Sequence, residues 1–535
     1  MQSNNYRILF YLSWLILHLF QGATTELFDD EAYYWVYSLF PSWGYFDHPP
    51  VIAILIKAGC LISHSEFGVR LFPAILSTLA IYLTETLLVK KNPYLFYAIC
   101  GSLALAQIGG MLAVPDTVLM FFVVLFFWLY KRFIERTNYT NAILLGICMA
   151  LLVYTKYHGI LVIIFTGLSN IKLLRKPQTY VAIFIAVLLF LPHLYWQHIN
   201  GYPSVQFHLF ERNSETYSVK NTIEFILGQV VLAGPLMGWL LIIASLLYKP
   251  LTQTEKAFKY TLVGFYLFFL LSTLKGRAEA NWTVPAFIGL IVLSHQYLID
   301  HAKWRKWLYY SLPLTLILVF TARILMIIDM PPKWWLAKDE FHQNKIWVND
   351  IKRKAGGLPV VFLDSYQKPS KYWFYGHDTA FGLNTSRYRR NNYNFWNVED
   401  SIISRPAYIA GYRRVDNYYS FSKVMIDNTK ICQIKGKEVS IRFRTVSPVH
   451  YLEYFKKDTY GNTPIYLTIY KNKTPYKDFS SSIILKDITR PVQENIVTFT
   501  LDSLNTGNYA AKFSIGTCVP RRLTMNSSEF HISIQ

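Results

Sequence analysis

The sequence predicts an all-α polytopic membrane domain followed by a mixed, mainly β soluble domain. Three observations carry that prediction. Of 535 residues, 53% are hydrophobic and only 16% charged, against roughly 25% charged in soluble domains; the mean hydropathy is +0.23. The apolar residues fall in long blocks that stop near Ile328. Beyond that point the chain is polar, aromatic and rich in Asn, Lys and Thr, and alternating patterns appear from about residue 430.

The apolar blocks come first. They span 6–23, 67–89, 93–113, 116–134, 141–155, 158–174, 179–196, 222–248, 259–275, 282–299 and 307–329. Helices of about 17–25 residues cross the hydrocarbon layer, so about eleven transmembrane helices are expected. The run Ile8–Leu19 resembles a short signal sequence, but no small-x-small cleavage site follows; it reads as a retained first span. Basic clusters occur at Lys90-Lys91, Lys131-Arg132-Arg136, Lys172-Arg175-Lys176, Lys249-Lys256-Lys259 and Lys303-Arg305-Lys306. With a cytoplasmic N-terminus at Arg7 and an odd span count, all five fall on the cytoplasmic side, as the positive-inside bias requires. The C-terminal region then lies outside the cytoplasm.

That count gathers every unusual polar segment on the other face: "LFDDEAYYW", "YFDHPP", "VPDTV", "YTKYHG", "YPSVQFHLFERN" and "LKGRAEANWTVP". Charge at membrane depth is costly and tends to serve function, so one composite site is expected. Asp30 and Glu31 follow the first span, and Asp116 begins the fourth behind Pro115. Two carboxylates at the interface suit acid–base work on a hydroxyl. A first-turn acid stabilised by the helix dipole accounts for Asp116 equally well, but capping uses only one side chain of the run Asp29-Asp30-Glu31. Lys156, Arg212, Lys275 and Arg277 stand where the positive-inside bias disfavours cations; they suit an anion such as phosphate, or snorkelling to lipid headgroups. Asp47, His48 and His208 are compatible with a divalent metal cation, and equally with hydrogen-bonded histidines.

Other function classes are excluded or disfavoured. The formal charge is +20 and the pI near 9.4, but the basic residues form no single patch, which argues against nucleic acid. There is no Gly-rich phosphate loop, no G-x-S-x-G, no Cys pair at zinc spacing, and no cytoplasmic loop long enough to bind a nucleotide sugar. A transporter or flippase would favour repeated halves and polar residues at mid-membrane, and neither is present. A receptor leaves the acids of the first external loop without a role.

The segments "DDEAYYWVYSLFPSWGYFDHPPVIAILIKAG" and "SEFGVRLFPAILSTLAIYL" resemble the bacterial branch of the polyprenyl-phosphate-sugar glycosyltransferases. These GT-C fold enzymes are related to protein O-mannosyltransferases and to the lipid A aminoarabinose transferase. "VPDTVLMFFVVLFFWLY", "LLVYTKYHGILV", "PSVQFHLFERN" and "SYQKPSKYWFYGHDTAFGLNTSRYRRNNYNFW" continue the resemblance in the same order, over roughly residues 5–400. It implies an inverting transfer of one sugar from a polyprenyl-phosphate carrier to a hydroxyl of a lipid, glycan or protein at the outer face of the bacterial inner membrane. It implies Asp30 as general base, Glu31 as its support, Asp116 as a sugar or acceptor contact, and Lys156 in the donor cavity. Arg212, with Lys275 and Arg277, would neutralise the departing phosphate. Asp47 and His208 match positions linked to metal in the aminoarabinose transferase; His48, a phosphate or metal contact here, stands where that enzyme has a lysine.

Three domains are expected: 1–330 in the membrane, an aromatic-rich α/β region over 331–430, and a β-sandwich over 431–535. In the middle region Trp334, Trp335, Trp373 and Trp396 suit packing and interface anchoring, or stacking on sugar rings. The strands are expected in "EVSIRFRTV", "PIYLTIYKN", "NIVTFTLDS", "NYAAKFSI" and "EFHISIQ", where period-two alternation runs between turn segments. Cys432 and Cys518 form one disulfide if this region is extracytoplasmic, or else two buried thiols.

Overall fold

A computed structural model describes residues 2–211, 217–330, 339–471 and 473–534. It divides into two compact units, Met1–His342 and Gln343–Gln535.

The first unit is helical, and every apolar block of the sequence carries a helix. In chain order the helices are α1 (Gln2–Thr24), α2 (Asp29–Leu39), α3 (Val51–Cys60), α4 (Glu66–Thr86), α5 (Pro93–Ser102), α6 (Ala104–Ile108), α7 (Pro115–Glu135) and α8 (Tyr139–Thr155). There follow α9 (Gly159–Ser169), α10 (Pro177–Ile199), α11 (Pro203–Gln206), α12 (Val219–Ala233), α13 (Gly238–Leu247), α14 (Gln253–Ser272), α15 (Ala286–Asp300) and α16 (Ala302–Ile327). Four of them, α4, α7, α10 and α16, are singly long and apolar enough to cross a membrane; counting each bent pair as one span raises the number to seven.

Two blocks that read as single spans are bent pairs. Block 93–113 turns by 80° between α5 and α6, at Leu103 in extended backbone after the Gly101-Ser102 pair, a common kink sequence. Block 222–248 turns by 92° between α12 and α13. There Gly234 takes φ +141°, and a Cβ on it would meet the Ser102 carbonyl; Pro235 cannot continue the helix. A third bend of 86° separates α1 from α2, which with α3 forms a short helical hairpin outside the predicted spans.

Packing is what holds the shorter helices. Phe127 of α7 meets Phe258 of α14 at 4.6 Å, and α15 is buried along most of its length. By contrast α10 and α16 expose long apolar faces, including Phe184, Leu188, Leu314 and Ile317, as lipid-facing helices do. Basic clusters secure the ends opposite the polar loops: Lys90 pairs with Asp300, and Lys259 donates to the Ser245 carbonyl at 2.9 Å, capping α13.

The second unit holds three sheets. β1 (Val360–Leu363), β2 (Ala380–Leu383), β3 (Ala407–Ile409) and β4 (Arg414–Val415) form one of order β2-β1-β3-β4. α17 (Asn344–Ala355) precedes β1, and α18 (Gln367–Gly376) connects the parallel pair β1 and β2. Here Trp396 is buried against Tyr393, with ring centroids 5.0 Å apart, which is core packing rather than an open sugar platform; Trp334 and Trp335 lie outside the described residues.

The other strands are β5 (Met425–Lys435), β6 (Glu438–Val446), β7 (Pro464–Lys471), β8 (Thr474–Ile484), β9 (Val492–Thr500), β10 (Gly507–Gly516), β11 (Leu523–Met525) and β12 (Phe530–Ile534). They make a sheet β5-β6-β9 and a sheet β11-β10-β7-β8 in which β12 also pairs with β10. All five predicted strands are present. Val439, Ile441 and Phe443 of β6 face one core with Ile465, Leu467, Phe513 and Ile515, as two packed sheets require. Phe443 and Phe513 meet at 4.5 Å. β5 and β8 escape the alternation argument because most of their residues are exposed. All five cysteines are free thiols, and Cys432 is exposed rather than buried.

A polar knot joins the α/β part to the sandwich. Glu399 is fully buried. It accepts from the Ser420 hydroxyl, from Ser422 Oγ at 2.6 Å, from Ser422 N at 3.3 Å and from Tyr451 Oη at 3.4 Å. Next to it, Asp400 accepts from Lys423 Nζ and Tyr451 Oη, both at 2.8 Å, and faces His450 at 3.5 Å. Burial pushes the Glu399 carboxyl above the ordinary range, only partly offset by the serine donors. A raised folded-state pKa means that the Glu399 contribution is fully present below about pH 4.3 and is lost as pH rises through the folded value. The melting temperature of the wild type should therefore fall relative to Glu399→Gln as pH rises from about 4.5 to 8. Melting curves of the purified protein check this; a gap that does not change with pH refutes it.

Candidate active site

The bend between α1 and α2 leaves carbonyls at the end of one helix and amides at the start of the next without helical partners. One arginine and one carboxylate meet both sets. Arg70, on α4, is 1% exposed and Glu31 is fully buried. Arg70 donates to the carbonyls of Gly22 at 3.0 Å, Thr25 at 2.6 Å and Glu26 at 2.9 Å. Its remaining donors form a fork to Glu31, with Nε to Oε1 at 2.7 Å and Nη2 to Oε2 at 2.5 Å. Glu31 in turn accepts from Phe28 N at 2.8 Å, at the N-cap of α2, and from Ala113 N at 2.7 Å, three residues before Asp116. All four of its contacts are structural. Glu31 therefore fixes the start of α2, the helix whose first turn carries half-buried Asp30.

Asp116 and Lys156 are brought together. Lys156 Nζ donates to Asp116 Oδ1 at 2.7 Å, and both side chains are largely buried, at 6% and 14% exposure. Asn281 Nδ2 donates to the other oxygen at 3.1 Å. Asp116 opens α7 behind Pro115, and Lys156 caps α8, so two helix ends and the turn Ala280–Thr283 converge.

On the other side of Lys156, Tyr157 joins a second network. Its hydroxyl donates to His193 Nε2 at 3.1 Å, while His193 Nδ1 donates to the Trp43 carbonyl at 2.8 Å. Gln197 donates to Tyr157 Oη at 3.1 Å and to Ser204 Oγ at 2.7 Å; Ser204 donates to the Tyr45 carbonyl at 3.0 Å. Asp47 is buried and accepts from Tyr33 and Tyr37 at 3.1 and 3.4 Å. Its main-chain oxygen accepts from His208 Nε2 at 3.0 Å. Named contacts thus link all six polar segments.

The predicted metal pair is brought together, with both members in contact with protein groups. Asp47 turns its carboxylate to two tyrosines, and His208 gives its Nε2 to main chain. Half-buried His48 packs edge-on against Tyr34 at 5.6 Å. Among the described residues, three ligand atoms converge only at Asp329, Asp339 and His342, within 4.8 Å of one another. Lys275 and Arg277 are exposed after α14, and Arg277 faces Glu279 at 3.5 Å. Arg212 lies outside the described residues.

Sequence reasoning did not single out Arg70, Tyr157, His193, Gln197 or Asn281. A signal was present for Arg70: a lone cation in an apolar run needs a partner. His193 and Gln197, four apart in an apolar helix, share a face in the same way.

Residues 47–196, which hold most of these contacts, match the family described as dolichyl-phosphate-mannose-protein mannosyltransferase. The lipid A galacturonosyltransferase RgtD of Rhizobium johnstonii is 25% identical over 325 residues, covering 57% of this chain and 67% of that protein. ArnT from Cupriavidus metallidurans shares the fold. Its apo crystal structure aligns with a TM-score of 0.56 at 12% identity, over 76% of this chain and 93% of that one. Its undecaprenyl phosphate complex aligns at 0.53 with the same identity and coverage.

The chain shares the GT-C fold of these glycosyltransferases. The resemblance read from the sequence agrees with these matches, and the helical unit with a mainly β second unit is the architecture that it implies.

The clamp generates a prediction. Arg70→Ala leaves the Glu31 carboxylate buried and unpaired, a loss of about 3–5 kcal/mol. Replacing both partners, Arg70→Met with Glu31→Leu, should cost less than the single change. Melting temperatures of the three proteins in one detergent test the order; a single variant that melts with the wild type refutes the clamp.

Proposed function

We propose that this membrane enzyme moves one sugar, with inversion, from a polyprenyl-phosphate carrier to a hydroxyl of a lipid acceptor. The reaction takes place at the outer face of the bacterial inner membrane, with the second unit on that same side. The observation that carries the reading is the placement of Asp30: half-buried, in the first turn of α2, on a helix start tied to the Asp116 segment through Glu31 and Ala113 N. The names of two relatives supply the substrate classes. RgtD is named as a lipid A galacturonosyltransferase, and ArnT is described with undecaprenyl phosphate bound.

The chemistry follows from what each group can do. Asp30 takes the proton of the acceptor hydroxyl as the oxygen attacks the anomeric carbon. The bond from that carbon to the phosphate oxygen breaks, and the electron pair leaves on the phosphate. Phosphate on a polyprenol is already a competent leaving group, so the site supplies positive charge rather than an acid. Lys156 provides it, held ready by Asp116 and Asn281; the sequence assigns Arg212, Lys275 and Arg277 to the same phosphate, with His48 as a further contact. Asp116 also contacts the sugar or acceptor.

Asp30→Asn should lower kcat by about 10²- to 10⁴-fold and leave donor binding intact. Reconstitution with radiolabelled polyprenyl-phosphate sugar and lipid A measures both. Carrier that crosses the bilayer with no glycosidic product would favour a flippase and end the transferase mechanism.

A further inference from the structure

The helical hairpin that follows the first bend leaves an open groove between α2 and α3. Its volume is about 250 Å³, and Ser38, Ser42, Trp43, Tyr45, Ala53 and Lys57 are among the residues that line it. The lining is apolar apart from serine hydroxyls and the Lys57 ammonium. Ser38 already donates to the Trp35 carbonyl at 2.6 Å. Lys57 is exposed and has no ion-pair partner among the described residues.

Around the groove the hairpin exposes large apolar side chains: Trp43 at 59%, Ile54 at 60%, Leu61 at 80% and Ile62 at 65%. Short helices with such a face lie at the headgroup boundary with that face in lipid, and tryptophan concentrates at that depth. A lone ammonium at the mouth of an apolar groove at headgroup depth complements a lipid phosphate with its chain. A lysine in the last turn of a helix also suits the dipole, but that explains neither the groove nor the apolar rim.

One wall of the groove backs onto the candidate catalytic network. Tyr45 stacks on Tyr37 at 4.0 Å and donates to its carbonyl at 3.0 Å, and Tyr37 reaches Asp47. Ser38 stands eight residues beyond Asp30, about 12 Å along the helix at 1.5 Å per residue. A lipid headgroup held there spans to Asp30 without leaving the membrane surface.

We propose that this groove docks the acceptor lipid, with an acyl chain between α2 and α3 and a headgroup phosphate on Lys57. The proposal rests on the lipid-acceptor reading above and adds where that lipid sits.

Steady-state transfer to bis-phosphorylated lipid A, in nanodiscs of phosphatidylcholine, tests it with Lys57→Gln, Lys57→Arg and Ser42→Trp. Lys57→Gln should raise the acceptor KM about 5- to 10-fold with kcat and donor KM unchanged, and Lys57→Arg should restore it. Ser42→Trp, which fills the groove, should raise the acceptor KM at least as much. Melting curves confirm that the variants fold; Lys57 is exposed, so its variants remain informative if Ser42→Trp does not fold. An acceptor KM unchanged in Lys57→Gln, with robust wild-type transfer to lipid A, overturns the groove and spares the lipid-acceptor reading. Wild-type transfer to a protein or polysaccharide, with none to lipid A, overturns both.

Discussion

A chain that turns sharply between two helices must find partners for the backbone groups that the turn releases, and it must find them in the protein where the turn is buried away from water. The pair Arg70–Glu31 meets this demand at the first bend. A guanidinium suits the task because it offers five donors in a fixed fork: three carbonyls from the end of α1 take part of the fork, and a carboxylate takes the rest. That carboxylate caps α2 and pins the segment before α7. The two acids assigned to the chemistry thus start on helices whose first turns hang from one buried ion pair, so the geometry of the site is set by a constraint of helix termination.

The same economy appears in the pair of Asp116 and Lys156. Read separately, one is an acid and the other a phosphate ligand; in the structure each is the other's counter-ion, with Asn281 completing the set. An isolated charge at that depth is costly, and the pairing offsets that cost for both groups. In the proposed reaction an arriving phosphate would share Lys156 with Asp116, which would retain Asn281.

Much of this was legible in the sequence. The acids after the first span, the lysine in "YTKYHG" and the convergence of six polar segments follow from the apolar pattern and the positive-inside bias. The alternation in "EVSIRFRTV" marks a strand with one face in the core, and that strand is central to its sheet. What stayed hidden depends on partners distant in the chain. Nothing local reveals that Arg70 reaches Glu31, or that His208 meets the main chain of Asp47. The knot at Glu399 is fixed by neighbours outside its own segment, and the close approach of Gly234 to the Ser102 carbonyl adds to the local break at Pro235. β5 and β8 lack periodicity because most of their side chains face water.

The five thiols carry a practical consequence. Cys60, Cys100 and Cys148 are buried in the helical unit, Cys518 is half-buried, and Cys432 alone is exposed, on β5. No disulfide occupies it. The native chain therefore carries its own single-site handle: a membrane-impermeant maleimide applied to intact cells reacts there first, and the side from which it reacts reports the orientation of the whole second unit with no engineered tag.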